Sequence, residues 1–161
     1  MKGRRQISVV GKGSPDAGLA SLAEEVGRLL AEAGVVVVCG GLRGVMEAVA
    51  RGATEAGGEA IGIIPSDDPA DANPHLTHVV ATGVGYARNL AVVASGEAVI
   101  AIGGEWGTLA EIAFARDMGR PVIVLEGWSV SGAGAMEGGP GIEVAETAAE
   151  AVELALAATG P

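Results

Sequence analysis

Short runs of aliphatic and β-branched residues alternate along the chain with alanine-rich stretches in which apolar positions recur every three to four residues. This is the pattern of repeated strand–helix units feeding a parallel sheet. Residues 7–10 form the first run and stop at Gly11-Lys12-Gly13-Ser14-Pro15, after which Leu19, Leu22, Val26, Leu29 and Leu30 mark one face of a helix closed by Gly34. A continuous apolar strand over residues 35–39 ends at Gly40-Gly41, and the helix over residues 45–56 that follows is stopped by Gly57-Gly58. Ala60–Ile64 is a third strand, ended by Pro65, and residues 66–74, polar and without periodicity, read as a surface loop. Residues 79–81 suggest a short strand, Arg88–Ser95 a helix, Ala98–Ile102 a strand stopping at Gly103-Gly104, residues 108–118 a helix and residues 121–125 a further strand. Residues 128–141, rich in Gly, Ser and Ala, read as a mobile loop, and residues 146–158 as a closing acidic amphipathic helix. The whole predicts one α/β domain over residues 1–161, a doubly wound, mainly parallel sheet with helices on both faces.

Composition narrows this picture. The aromatic residues are Tyr86, Trp106, Phe114 and Trp128 among 161 residues, so the core must be aliphatic, as suits parallel strands under helices. The formal charge of -10 opposes a nucleic acid partner or an anionic membrane. An anion bound here must be held by local donors, such as backbone N–H groups and single arginines, in an enclosed site. Cys39 is the sole cysteine, which excludes an intrachain disulfide and makes the cytoplasm the expected location. The apolar run behind the basic N-terminus is too short for a signal segment.

Two turns repeat. Gly40-Gly41-x-x-Gly44 and Gly103-Gly104-x-x-Gly107 each follow a strand and open a helix, at the carboxyl edge of the sheet where α/β folds bind ligands. Glycine allows close approach of backbone to ligand, and a helix N-terminus suits a phosphate. The plainer alternative is a tight strand-to-helix turn; two matching turns favour binding. Gly11-Lys12-Gly13 begins like a dinucleotide fingerprint, but Asp16 stands where its third glycine belongs, and an acid there opposes a pyrophosphate. Lys12 reads as a solvated lysine.

Among the charges, Arg88 is the most informative, since a guanidinium after the Gly83/Gly85 loop can fork onto a phosphate or carboxylate. Its alternative is an ordinary ion pair. Glu111 shares a helix face with Thr108 at three-residue spacing; alone it also fits a favourable acid near a helix start. His75 and His78 lack the companions of a metal site and read as surface residues. Ser14 has no base partner, and Met46 and Met118 read as core filler.

The segment Gly103-Gly104-Glu105-Trp106-Gly107-Thr108-Leu109-Ala110-Glu111 resembles the Pro-Gly-Gly-x-Gly-Thr-x-x-Glu signature of the Lonely Guy family. Gly40-Gly41-Leu42-Arg43-Gly44-Val45-Met46 resembles that family's other glycine turn with its Gly-x-Met continuation, and Arg88 falls where the family places its arginine. The resemblance covers most of the chain. It implies a Rossmann-like fold, a homodimer, and a phosphoribohydrolase that cleaves the base from a nucleoside 5'-monophosphate without a cofactor. Carried over, Gly104, Gly107 and Thr108 would hold the phosphate while Arg88 and Glu111 act at the ribose. An older label, lysine decarboxylase, fails because a pyridoxal enzyme needs a Schiff-base lysine and only Lys2 and Lys12 exist. Trp106 is an extra residue at a variable position of the signature. Ile102 replaces the signature's proline and Asn89 stands where plant-type enzymes have lysine, features closer to the branch of molybdenum cofactor carrier proteins, which bind a phosphorylated pterin without turning it over. The resemblance therefore implies a pocket of Gly40, Gly41, Gly44, Met46, Arg88, Asn89, Gly103, Gly104, Gly107, Thr108 and Glu111. It leaves three readings: a molybdenum cofactor carrier, favoured by Asn89 and Ile102; a nucleotide N-glycosidase, kept open by Arg88 and Glu111; and a scaffold with a vestigial pocket. It is also distantly similar to the Rossmann core of a DNA-processing protein, against whose strand binding the acidic balance argues.

Overall fold

Seven strands hydrogen-bond side by side and point the same way. The computed structural model describes residues 3–129 and 141–160. In chain order they are β1 (Gln6–Gly11), α1 (Ala17–Glu32), β2 (Val36–Cys39), α2 (Val45–Glu55), β3 (Ala60–Ile64), β4 (His78–Ala81), α3 (Arg88–Ser95), β5 (Ala98–Ile102), α4 (Trp106–Asp117), β6 (Val122–Leu125), β7 (Ile142–Ala145) and α5 (Ala148–Ala158). The sheet order is β4-β3-β2-β1-β5-β6-β7, with every neighbouring pair parallel. The doubly wound α/β architecture expected from the alternation is the one observed.

Each central strand is apolar on both faces because both are covered. Ile7, Val9, Val37, Ile100 and Ile123 join α1, α2 and α5 in one core cluster, while Val10, Val38, Val99, Ala101 and Val124 join Val92 and Val93 of α3 and Ile112 and Ala115 of α4 in the other. This is the two-residue alternation of a strand, with aliphatic side chains at both phases.

Local chemistry sets the helix boundaries. Asp16, the residue that spoils the dinucleotide fingerprint, is the N-cap of α1, its carboxylate accepting the Leu19 N–H at 3.1 Å. Thr147 caps α5 in the same way, accepting from Glu150 N at 3.1 Å, while the Glu150 carboxylate accepts from Glu146 N at 2.7 Å, so α5 starts at Ala148 rather than at residue 146. Pro121 donates nothing to the ladder, and its carbonyl accepts from Val99 N at 2.9 Å just before β6 begins. Strand β7 was not expected: of its four residues only Ala145 is buried, so it carries no apolar run to see. The expected mobile loop lies largely outside the described residues, at 130–140. Among the described residues, no helix is long and apolar enough to cross a membrane.

Candidate functional site

With all strands parallel, every C-terminal strand end opens on one edge. The chain leaves β1 towards β2 on one side and enters β5 on the other, so strand order reverses between β1 and β5 and a crevice opens beyond them. A cavity of about 120 Å³ lies there, lined by Val10, Gly11 and Gly13 from β1 and its loop, Gly40 and Met46 around β2 and α2, Tyr86, Arg88 and Asn89 before and on α3, and Glu105, Gly107, Thr108 and Glu111 at the start of α4. Of the residues named from sequence, Gly40, Met46, Arg88, Asn89, Gly107, Thr108 and Glu111 meet at this cavity.

Gly41, Gly44, Gly103 and Gly104 do not line it. Gly41, Gly44 and Gly103 have φ of +74°, +65° and +68°, the region that glycine adopts without strain. A Cβ on Gly104 would come within 2.4 Å of the Trp128 indole, so this glycine leaves room for that ring. The two glycine turns also differ in shape. Positive φ falls at the second and fifth positions of the first but at the first position of the second, and α2 begins after Gly44 whereas α4 begins before Gly107, at Trp106.

The first turn is braced from outside. Buried Asn73, in the loop before β4, donates its amide to Leu42 O at 3.0 Å and its backbone N–H to Gly41 O at 2.9 Å. Sequence reasoning read this loop as surface and missed Asn73. It also missed Glu105, whose carboxylate accepts from Ser14 Oγ at 2.7 Å across the crevice mouth and whose carbonyl accepts from Trp128 Nε1 at 3.2 Å. Tyr86, on the rim, was missed as well.

Arg88 is 8% exposed and its Nη2 donates to Gly40 O at 3.4 Å. A Cβ on Gly40 would sit 2.9 Å from that same Nη2, so the glycine makes room for the guanidinium. The ion pairs among the described residues are formed by Arg4, Lys12, Arg28, Arg43, Arg51 and His75, not by Arg88. Its Nε and the Oδ1 of neighbouring Asn89 are buried without a hydrogen-bond partner. An unpaired buried polar atom costs about 1–3 kcal/mol, and both atoms belong to residues that line the cavity.

Thr108 and Glu111 lie on the inner face of α4, 2% and 7% exposed. Burial drives the Glu111 carboxyl up to about 7, an effect the positive charge of Arg88 only partly offsets. Burial likewise lowers the Arg88 pKa against the pull of Glu111, without threatening its charge at neutral pH. Cys39 beneath the site is fully buried and its thiol pushed up to about 11, so it is not a nucleophile. Lys12 pairs with Asp16 at 3.4 Å, and His75 lies 3.9 Å from Glu47. No group of three or more His, Cys, Asp or Glu side chains suited to a metal occurs among the described residues.

Comparison with known proteins places this geometry in context. The model of the SLOG cluster4 family matches residues 4–154. A protein of Archaeoglobus fulgidus is 41% identical over 131 residues, 78% of this chain and 86% of that one. Among solved structures, the molybdenum cofactor binding protein of Rippkaea orientalis superposes with a TM-score of 0.87 at 32% identity, covering 96% of both chains. The molybdenum cofactor carrier protein of Chlamydomonas reinhardtii gives a TM-score of 0.82 at 28% identity over 94% of this chain and 95% of that one. DNA processing protein A of Streptococcus pneumoniae shares the fold alone, at 20% identity and a TM-score of 0.72, over 93% of this chain and 61% of its own.

Proposed function

The chain belongs to the SLOG cluster4 family, and from that membership and the chemistry of the crevice we propose that it binds a phosphate-bearing heterocycle as a molybdenum cofactor carrier. The observation that carries this reading is the meeting of Arg88, buried and absent from the ion pairs among the described residues, with Thr108 and Gly107 at one cavity beside the β1/β5 switch point. The guanidinium is a cationic donor suited to a phosphate, so the residues present fit the phosphate of a phosphorylated pterin. Arg88, the Thr108 hydroxyl and the backbone at Gly107 in the first turn of α4 would hold the phosphate. The bound group would supply the metal chemistry to whichever protein receives it, while this chain's residues bind and shield. The similarity to the Rippkaea and Chlamydomonas proteins supports the choice of ligand.

A second reading rests on Glu111. A buried carboxyl that titrates near neutral pH, beside an arginine in a ligand crevice, suits removal of a proton from water. As a phosphoribohydrolase, the chain would add water at the anomeric carbon of a nucleoside monophosphate while the carbon–nitrogen bond breaks and its electron pair leaves with the base. The water's proton would pass to Glu111 and on to the departing base.

The protein incubated with AMP and, separately, with molybdopterin decides between these. The carrier reading expects thermal stabilisation by molybdopterin and no free adenine. Adenine released together with ribose 5-phosphate, and lost in Arg88→Ala, would replace the carrier by the hydrolase; neither effect would leave the scaffold. The acidic balance speaks against nucleic acid as a partner. A homodimer is part of the proposal, because Leu90 of α3, Trp106 and Phe114 of α4 and Met118 just after α4 are exposed while, among the described residues, no large apolar side chain is exposed on α1, α2 or α5. Light scattering that gives a monomer mass would remove that part.

A further inference from the structure

The enclosed part of the site is small. Its roughly 120 Å³ falls below the roughly 300–1,000 Å³ of pockets that swallow whole small ligands. A phosphate fits beside Arg88 and Thr108, but a fused heterocycle joined to it must lie outwards, across the rim.

The chain places its few aromatic residues towards that outside. None is in the buried core: Tyr86 is 90% exposed, Trp106 78% and Phe114 37%, and Trp128 is half-buried. Of these only Tyr86 lines the cavity. Trp106 and Trp128 are engaged with each other, ring centroids 5.2 Å apart and planes tilted by 42°, and the Trp128 N–H is taken by Glu105 O. Tyr86 is in no such ring pair among the described residues.

Its backbone is held firmly. Tyr86 occupies a 3₁₀ turn, Gly85–Ala87, entered through Gly83 and Gly85 at φ of +65° and +60°. Gly83 N donates to Ser66 O and Gly85 N to Pro65 O, both at 3.0 Å, pinning the loop to the end of β3. Two residues on, Arg88 points into the cavity, so one short segment sets both a charge for the phosphate and a ring at the rim.

We propose that Tyr86 is the platform on which the planar ring of the ligand stacks, and thereby the residue that separates phosphate ligands bearing a planar heterocycle from those without one. This rests on the small-molecule binding proposed above and adds the group that reads the ring. An aromatic face recognises a flat heterocycle whatever its substituents, with the phosphate fixing its distance from Arg88.

Titration calorimetry on the full chain tests it, with molybdopterin and AMP as the ring-bearing probes, each carrying a planar heterocycle, and ribose 5-phosphate as the probe without one. Tyr86→Ala should weaken the ring-bearing probe that binds by roughly 5- to 150-fold and change ribose 5-phosphate by less than about twofold, while Tyr86→Phe keeps wild-type affinity. Tyr86 is exposed, so both variants should fold, and unchanged melting temperatures check this. Equal losses on all probes, no loss on the ring-bearing ones, or a Phe variant as weak as Ala would overturn the assignment and leave the binding proposal standing. A wild-type protein that binds none of the three would remove both.

Discussion

Glu111→Gln removes a titrating charge from the crevice and keeps its shape. Glu111 is 7% exposed, and burial raises its carboxyl from the ordinary 4.5 to about 7, a displacement of about 2.5 pH units. At about 1.4 kcal/mol per unit this amounts to about 3 kcal/mol between fully protonated and fully ionised conditions. The folded chain keeps the proton up to about pH 7 while the unfolded chain releases it near 4.5, so between these values folding takes up a proton. The stability tied to this group is therefore complete below pH 4.5 and is lost as pH rises through 7. Most of the change falls between pH 5 and pH 8.

Glutamine has no such titration. Between pH 5 and pH 8 the variant should gain about 2–3 kcal/mol on wild type, or roughly 5–10 °C in melting temperature for a chain of this size. Urea unfolding of both proteins at the two pH values measures it, and the other carboxylates cancel in the comparison. A constant difference would mean that burial does not raise Glu111, because the group is solvated or because Arg88 holds it ionised; in the second case the linked change falls below pH 4.5. The same variant separates the two functions: a carrier should keep its ligand, and a hydrolase should keep binding and lose turnover.

Two glycines at the crevice should respond in opposite ways to alanine. In Gly11→Ala the new Cβ would meet Ile102 O at 2.3 Å and Val45 Cγ1 at 2.7 Å, so backbone must move, and a loss of about 1–3 kcal/mol in urea unfolding is expected. In Gly40→Ala the Cβ would meet Met46 Sδ at 2.6 Å and Arg88 Nη2 at 2.9 Å, ends of flexible side chains that can swing away. Its stability should change by less than about 1 kcal/mol while ligand affinity drops about tenfold or more, and unchanged affinity would show that Arg88 does not need its observed position. Gly52→Ala should destabilise despite alanine's helix propensity, worth about 1 kcal/mol, because its Cβ would lie 2.0 Å from Glu24 O where α1 crosses α2; a raised melting temperature would contradict that close crossing.

The parts of the fold that could be read from the chain are those whose physics acts over a few residues. Parallel strands covered on both faces must be aliphatic throughout, so β1, β2, β3, β5 and β6 stand out, whereas β7, exposed at two of its four positions, carries no such demand. Thr108 and Glu111 could be placed on one face because a helix repeats on a scale the sequence displays, and both are buried at the crevice. The two Gly-Gly-x-x-Gly turns look identical as letters yet differ as backbone, because glycine permits positive φ without requiring it and tertiary contacts choose where it falls. Gly41 turns under Asn73, which lies 32 positions along the chain and bonds to it from the loop before β4. The crevice itself joins residues as distant as Val10 and Glu111, so Tyr86 and Glu105 gained meaning only when the β1/β5 reversal brought their segments together. Arg88 shows the same limit from the other side. Its charge and its place before a helix mark it as a candidate, but an ordinary ion pair fits those facts equally well. Burial without a carboxylate partner separates the two, and that property belongs to the folded chain rather than to any segment of it.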